Sequence, residues 1–388
     1  MTAASGQEFV PFMQEAIRLA AQGRWKTCPN PAVGALLVRD GRIVARGRHR
    51  AAGQDHAEVA CLKDAARQGI SPRGCDLVVT LEPCNHYGKT PPCTQAVIDA
   101  GIRRVVIGLE DPNPVAAGGA TRLREAGIEV LGPVCAGACR DLIADFLIWQ
   151  KTGRPYVILK MASTLDGRIA TRNGHSQWIS GEASRQSVHA LRADLALCGG
   201  AVLVGGRTFR EDNPLLTART EPPATAQPLA CVLTSHLPAA TEPFRLLRER
   251  PGETVFLVPP SAAGSGRAAA LRDGGVRVLP VVQGADGGAD LAGMLHCLRQ
   301  ELACPYVLCE GGGRLALSLL QAGLVDEFHL HLSPLIFGDN DARPLFSGRA
   351  PLHLGEGIAL RVCRVAQCGE DAHILLRPNA RNPASQRD

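Results

Sequence analysis

The feature that most constrains this chain is a set of polar residues strung out between positions 55 and 93. Asp55-His56-Ala57-Glu58 stands where an amphipathic helical pattern begins. Pro83-Cys84 follows the end of an apolar strand at Thr80, and Pro91-Pro92-Cys93 opens another helical pattern. A histidine and two cysteines so placed act together only if the fold brings a helix start, a strand end and a second helix start to one point. One imidazole and two thiolates make three protein ligands for Zn²⁺ and leave a fourth position for water, as a catalytic site requires. Zinc lowers the pKa of bound water to about 7. Glu58, two residues beyond His56, is then the general acid/base and not a ligand. A helix N-terminus also favours thiolate over thiol, which suits Cys93. Taken alone, Asp55 to Glu58 fits a capping box as well, and Pro-Cys after a strand carries little. The three segments in this order point to the metal.

Around this set, apolar periodicity predicts a helix over residues 9–23. Strands follow over 32–38 and 43–47, joined by Asp40-Gly41, a hairpin signal. A helix over 56–67, a strand over 77–80, a helix over 93–100, a strand over 105–108, a helix over 121–126 and a strand over 128–131 complete the half. The second half begins near Arg154-Pro155 with a strand over 156–161. Helices are expected over 183–191, 291–302 and 315–322, and strands over 201–204, 229–233, 255–258, 276–281, 306–309 and 327–332. Strands alternating with helices give an α/β layer architecture in both halves. Residues 221–228 and 259–267, rich in Pro, Ala, Gly and Ser, read as surface loops. The polar tail from Asn379 reads as disordered, and the halves show no internal repeat.

At 388 residues, two domains are the natural expectation. Hydrophobic residues at 45% and charged residues at 20% are the profile of a globular protein able to bury a core in each half. The net charge of +5 is spread thinly, and aromatics are 4%, so neither nucleic acid nor membrane is indicated as a partner. The longest nearly apolar run, 195–206, is too short to span a bilayer. With no secretory segment visible, a cytoplasmic location is expected. Most of the 14 cysteines, Cys61, Cys231, Cys297 and Cys309 among them, sit in apolar surroundings and read as small buried hydrophobes.

Zinc deaminases generally space their cysteines as Pro-Cys-x-x-Cys. Here residues 85–92 intervene, and at this loop the resemblance becomes specific. Asp55-His56-Ala57-Glu58-Val59 followed by Pro83-Cys84-Asn85-His86-Tyr87-Gly88-Lys89-Thr90-Pro91-Pro92-Cys93 resembles the bifunctional riboflavin-biosynthesis deaminase–reductases. Pro29-Asn30-Pro31-Ala32-Val33-Gly34, His49-Arg50-Ala51-Ala52-Gly53 and Asp111-Pro112-Asn113-Pro114 fit the same family, which usually has Ser at the place of Asn85. The resemblance implies a cytidine-deaminase-like three-layer domain over 1–150 that hydrolytically removes an amino group from a phosphoribosylated diaminopyrimidinone. It implies Asn30 and His49 at the substrate, with His86 and Lys89 where ring or phosphate contacts are open to them.

In the second half the clearest signal is the strand to Cys309, then Glu310, Gly311-Gly312-Gly313 and a helix from Arg314. A glycine-rich turn into a helix N-terminus is a ready anion site, though it matches neither the dinucleotide fingerprint nor a P-loop. A plain tight turn reads equally well. Residues 160–168 (KMASTLDGR), 174–180 (GHSQWIS) and 323–327 (GLVDE), with Thr208 and Asp212-Asn213-Pro214-Leu215-Leu216, resemble the reductase half of the same family. That half implies a dihydrofolate-reductase-like α/β domain over 151–378 that uses NADPH to reduce the ribosyl group to ribityl, followed by the tail over 379–388. The resemblance assigns Ala162, Trp178, Thr208, Asp212, Ser235, Gly312, Gly313, Arg314, Leu315, Ala316, Leu317 and Ser318 to the cofactor. It assigns Ser176, Arg192, Leu216, Arg219 and Glu310 to the substrate. Arg192 and Arg219 are expected to fork onto a phosphate. The chain departs from the family at Arg207, where a small residue is commoner, at Thr234, where Asp is commoner, and over 195–200, where it runs longer.

Two other readings compete. One is a nucleoside or tRNA-base deaminase fused to an unrelated α/β domain, which a short cysteine interval would favour. The other is a non-catalytic zinc scaffold, which a fourth protein ligand such as His86 or His49 would favour. The partner expected under the leading reading is a small phosphorylated pyrimidine, with homo-oligomerisation left open.

Overall fold

Two units, Met1–Thr152 and Gly153–Asp388, make up the chain in a computed structural model that describes residues 6–87, 91–113, 117–284 and 287–379. The first runs α1 (Val10–Ala21), β1 (Gly34–Arg39), β2 (Arg42–Arg48), α2 (Ala57–Arg67), β3 (Asp76–Val79), α3 (Cys93–Asp99), β4 (Arg104–Ile107), α4 (Gly119–Glu125), β5 (Glu129–Leu131), α5 (Ala136–Leu142) and α6 (Ala144–Thr152). Its sheet has the order β2-β1-β3-β4-β5. β1 is antiparallel to β2 and β3, and β3, β4 and β5 are parallel. Asp40 and Gly41 both take positive φ, the hairpin conformation their pairing in sequence calls for. Leu37, Leu77, Val79 and Val105 pack on Cys61 and Ala65 of α2, Val97 of α3 and Leu123 of α4. Helix α1 lies against β1, and α5 against α1. A Cβ on Gly47 would meet the Cys61 backbone nitrogen at 2.2 Å, so only glycine lets α2 sit this close to β2.

The second unit runs β6 (Tyr156–Ser163), β7 (Arg168–Ala170), α7 (Glu182–Ala196), β8 (Ala201–Gly205), α8 (Gly206–Asp212), β9 (Leu229–Leu233), α9 (Arg245–Glu249), β10 (Thr254–Val258), α10 (Pro260–Ala263), α11 (Gly266–Asp273), β11 (Arg277–Pro280), α12 (Leu291–Glu301), β12 (Tyr306–Cys309), α13 (Gly313–Gln321), β13 (Glu327–Leu332), β14 (Arg343–Pro344), β15 (Leu360–Cys368) and β16 (Asp371–Pro378). The main sheet has the order β11-β10-β9-β8-β12-β6-β13-β16-β15. It is parallel through β13 and antiparallel at β16 and β15. Parallel strands β8, β9, β10 and β12 are buried apolar runs, as sheets covered on both faces require. Asp326 binds Arg154 through both oxygens, at 2.7 and 2.8 Å, and accepts the Val157 N–H, tying the start of β6 to the start of β13.

Several elements go beyond the sequence reading. The stretch 259–267, read as a loop, contains α10 and the start of α11, which Ser265 caps by accepting the Ala268 N–H. Helix α5 carries no capping side chain and starts from a left-handed Cys135, so no boundary signal marks it. In β15 a bulge between Val362 and Arg364 shifts the pairing by one residue and breaks the alternation that would have revealed the strand. Residues 380–388, most of the expected disordered tail, lie outside the described residues. No helix among the described residues is long and apolar enough to cross a membrane.

Candidate active site

In the first unit the three metal-ligand candidates meet. His56 is the N-cap residue of α2, with extended backbone, and Cys93 is the first residue of α3 behind Pro92. His56 Nδ1 lies 3.3 Å from Cys93 Sγ and 3.7 Å from Cys84 Sγ. All three donor atoms fall within 4.8 Å of one another. Nitrogen and sulfur on a tetrahedral zinc stand about 3.5 Å apart, so the donor set fits the ion. The Cys93 backbone N–H points at Cys84 Sγ, 3.4 Å away. Hydrogen bonds from Cys93 and His56 lower the Cys84 pKa, while the bond to Cys84 and burial raise that of Cys93. The capping-box reading fails here: the Asp55 carboxylate pairs with Lys63 at 2.7 Å, not with a backbone N–H of the helix.

Glu58, in the first turn of α2, is 3% exposed. Burial pushes its carboxyl up to about 7, which lets it hold or release a proton near neutrality. His49 is buried and its ring is 5.4 Å from that of His56. Its Nδ1 bonds the Asp55 carbonyl at 2.9 Å, which makes Nε2 the acceptor for the Asn30 amide at 3.1 Å. Both nitrogens of His49 are therefore engaged, and it closes no metal site. Neither His49 nor His86 joins the donor group. Lys89 lies outside the described residues. One residue the sequence reading passed over is Glu82. It is buried just before Pro83-Cys84 and accepts the Asp111 and Ala120 N–H groups at 3.0 and 2.8 Å. An acid at the end of an otherwise apolar strand was its signal.

In the second unit a cavity of about 860 Å³ opens at the strand ends. Gly312, Gly313, Arg314 and Leu315 of the α13 turn line it, with Thr208 and Asp212 of α8 and Ser235 after β9. Ala162, Ser176 and Trp178 form another wall, and Arg192, Arg219 and Glu310 a third. Leu216, Ala316, Leu317 and Ser318 do not line it; the first three are buried in the fold and Ser318 faces away, exposed. The glycine turn is sterically obligatory. A Cβ at Gly311 would meet Val204 Cα at 2.8 Å, Gly312 has φ +70, and a Cβ at Gly313 would meet the Leu345 carbonyl at 2.4 Å. A cradle this tight, with open N–H groups at a helix start, fits a dinucleotide's phosphates.

Arg192 corrects one expectation. Its Nε and Nη2 each donate to Glu310 at 2.6 Å and its Nη1 to the Thr217 carbonyl at 2.8 Å, so its fork is closed on a carboxylate and not free for a phosphate. It lies on α7 ahead of the longer 195–200 stretch, which extends beyond that helix's end. Arg219 remains exposed, beside the cations Arg192 and Arg245. Arg207 pairs with Glu211, which also binds Arg343. Thr234 accepts from Arg210 and the His236 N–H, while Ser235 bonds the His236 ring at 2.8 Å. Missed by the sequence reading were Lys160 and His189, both lining the cavity. Burial lowers the Lys160 pKa; burial, then Arg192 and Arg219, hold His189 down to about 4. A lysine within the apolar run of β6 was the available signal.

Comparison with known proteins places these features. Residues 155–374 match the RibD C-terminal domain, and residues 8–109 match the cytidine and deoxycytidylate deaminase zinc-binding region. The riboflavin biosynthesis protein RibD of Aquifex aeolicus is 37% identical over 367 residues, covering 94% of this chain and 97% of the relative. The structure of Acinetobacter baumannii RibD is similar with a TM-score of 0.74 and 35% identity, covering 97% of this chain and 100% of that one. A Thermotoga maritima structure described as a diaminohydroxyphosphoribosylaminopyrimidine deaminase/5-amino-6-(5-phosphoribosylamino)uracil reductase gives 0.76 and 34%, over 96% and 99% of the two chains.

Proposed function

From the premise that this chain belongs to the RibD family of riboflavin-biosynthesis proteins, we propose that its two units perform successive steps on one substrate. The first unit hydrolytically deaminates 2,5-diamino-6-(5-phosphoribosylamino)pyrimidin-4-one, and the second reduces the ribosyl group to ribityl with NADPH. The observation that carries this reading is the convergence of His56, Cys84 and Cys93 beside a buried Glu58.

In the first unit His56, Cys84 and Cys93 would hold zinc, which when bound supplies Lewis acidity that lowers the pKa of water to about 7. Glu58 takes the proton of the attacking water and returns it to the leaving amine, a role supported by its raised pKa near 7. Asn30 orients the pyrimidine ring, its amide fixed through His49 to the Asp55 carbonyl. In the second unit NADPH, when bound, would supply the hydride. Gly312, Gly313, Arg314 and Leu315 would hold it, with Ala162, Thr208, Asp212, Ser235 and Trp178 lining the same cavity. Glu310, held rigid by Arg192, and Ser176 face the substrate, and Arg219 takes its phosphate. Leu216, Ala316, Leu317 and Ser318 belong to this site only through the backbone that carries the others.

The partner is this small phosphorylated pyrimidine, with neither nucleic acid nor membrane involved, in a cytoplasmic setting. Incubating purified protein with the diaminopyrimidinone phosphate tests the whole reading. Ammonia should appear without NADPH, and NADPH oxidation should follow once it is added. Ammonia release with no subsequent NADPH oxidation would defeat the second assignment; no ammonia from zinc-loaded protein would defeat the first.

A further inference from the structure

Two positions at which this chain departs from the family, Arg207 and Thr234, line the second unit's cavity together with Arg210 of α8. The arginines differ in what meets their charge. Arg207 and Arg343 both pair with Glu211, at 2.9 and 2.7 Å. Arg210 rests on neutral oxygens alone. Its Nη1 donates to the Gly206 carbonyl at 2.9 Å, both Nη atoms donate to Thr234 Oγ1 at 3.4 Å, and Nη2 donates to the His236 carbonyl. Among the described residues no carboxylate pairs with Arg210, and none of these bonds uses its Nε–H. A Cβ on Gly206 would stand 2.4 Å from Thr234 Oγ1 and 2.9 Å from Arg210 Nη1, so glycine makes the room in which the guanidinium is seated.

The order of strands tells which part of a dinucleotide this charge would meet. Hydride transfer needs the nicotinamide against the substrate wall, where Ser176 and Glu310 stand. The glycine turn after β12 suits the pyrophosphate. That leaves the adenosine half to β8 and β9, the next two strands of the sheet, with the end of β9 about 10 Å away at the usual strand spacing. Thr234 and Ser235 follow β9 there, beside Arg210. Dinucleotide sites choose their coenzyme at the adenosine ribose: an acidic side chain pairs with a free 2′-hydroxyl, and an arginine accommodates a 2′-phosphate. On the reading that this cavity takes NADPH, we propose that Arg210, with Ser235 beside it, binds the 2′-phosphate and makes the site prefer NADPH to NADH. Thr234 bonds the guanidinium without neutralising it, whereas a carboxylate at that place would close its charge.

Equilibrium binding of NADPH and of NADH to the full-length protein, read from nicotinamide fluorescence, tests this without turnover. The wild type should bind NADPH more tightly than NADH by about tenfold or more, the worth of a hydrogen bond to a charged group. Arg210→Leu should weaken NADPH by about ten- to hundredfold and leave NADH as it was. Thr234→Asp should act in the same way. It sets a carboxylate on Arg210 while the guanidinium keeps its hold on the Gly206 and His236 carbonyls, so a disturbed loop would not be the cause. Arg207→Leu should keep the preference, because Glu211 already meets the charge of Arg207. Equal affinity of the wild type for the two coenzymes overturns the inference and leaves the cavity's assignment standing; protein that binds neither overturns both. A preference that survives Arg210→Leu, or one lost in Arg207→Leu, overturns it too. So do equal losses of NADPH and NADH in both Arg210→Leu and Thr234→Asp.

Discussion

Glu58 shows what burial does to a single carboxyl. With its side chain out of water, the charged form is penalised and the proton is held to about pH 7. Glutamine matches the protonated form in shape, so Glu58→Gln should keep zinc and fold while deamination falls by about 10²–10⁴-fold; metal analysis and ammonia release would show it. Wild-type deamination in that variant would rule out the proton shuttle. Among the described residues Arg219, unlike Arg192, pairs with no carboxylate and keeps its guanidinium available. Arg219→Ala should weaken phosphorylated substrate in the reductase step by about 1.5–3 kcal/mol, the worth of a hydrogen bond to a charged group. Titrations with and without the 5-phosphate check this, since equal losses for both would sink the assignment. That His56, Cys84 and Cys93 would meet beside Glu58 was legible from residue type and order alone, because a metal tolerates few substitutes. The fate of Arg192 was not legible, because Glu310 lies 118 positions away in the chain.

At the scale of elements, α7 lays a polar face on the sheet. Ser184 reaches His331, Arg192 reaches Glu310, and His189 Nδ1 accepts the Arg219 N–H. Burial and the cations Arg192 and Arg219 hold His189 at about 4, below its ordinary 6.5. Between those values the unfolded chain takes up a proton that the folded one refuses. Stability from this group is therefore full above about pH 6.5 and declines as the pH falls toward 4. Thermal unfolding of the second unit should shift downward over that window, and His189→Gln should flatten the dependence. An unchanged pH profile in the variant would count against it. Helices with strong periodicity and strands with apolar runs could be read in advance. Helix α5 lacks a capping side chain, and β15 has its alternation broken by a bulge, so local signals did not mark them.

At the scale of the whole molecule, each unit has its own core and its own candidate site, so the two activities should separate. Chelation of zinc should stop ammonia release and leave NADPH oxidation intact when deaminated substrate is supplied. Protein carrying Glu58→Gln mixed with protein carrying Arg219→Ala should restore the two-step conversion in trans, with a lag while intermediate accumulates. No recovery in the mixture would mean that intermediate does not pass between molecules through solution. What the amino-acid sequence determined by itself was local: which residues can bind a metal, which turn needs glycine, where apolar runs must become strands. Tertiary structure alone decided that His49 orients Asn30 instead of closing the metal site, that Arg192 clasps Glu310, and that Arg210 meets Thr234 at the end of β9. The reason is physical. Ligand chemistry and backbone sterics act within a few residues, whereas the pairing of buried polar groups depends on strand register and helix packing between distant segments.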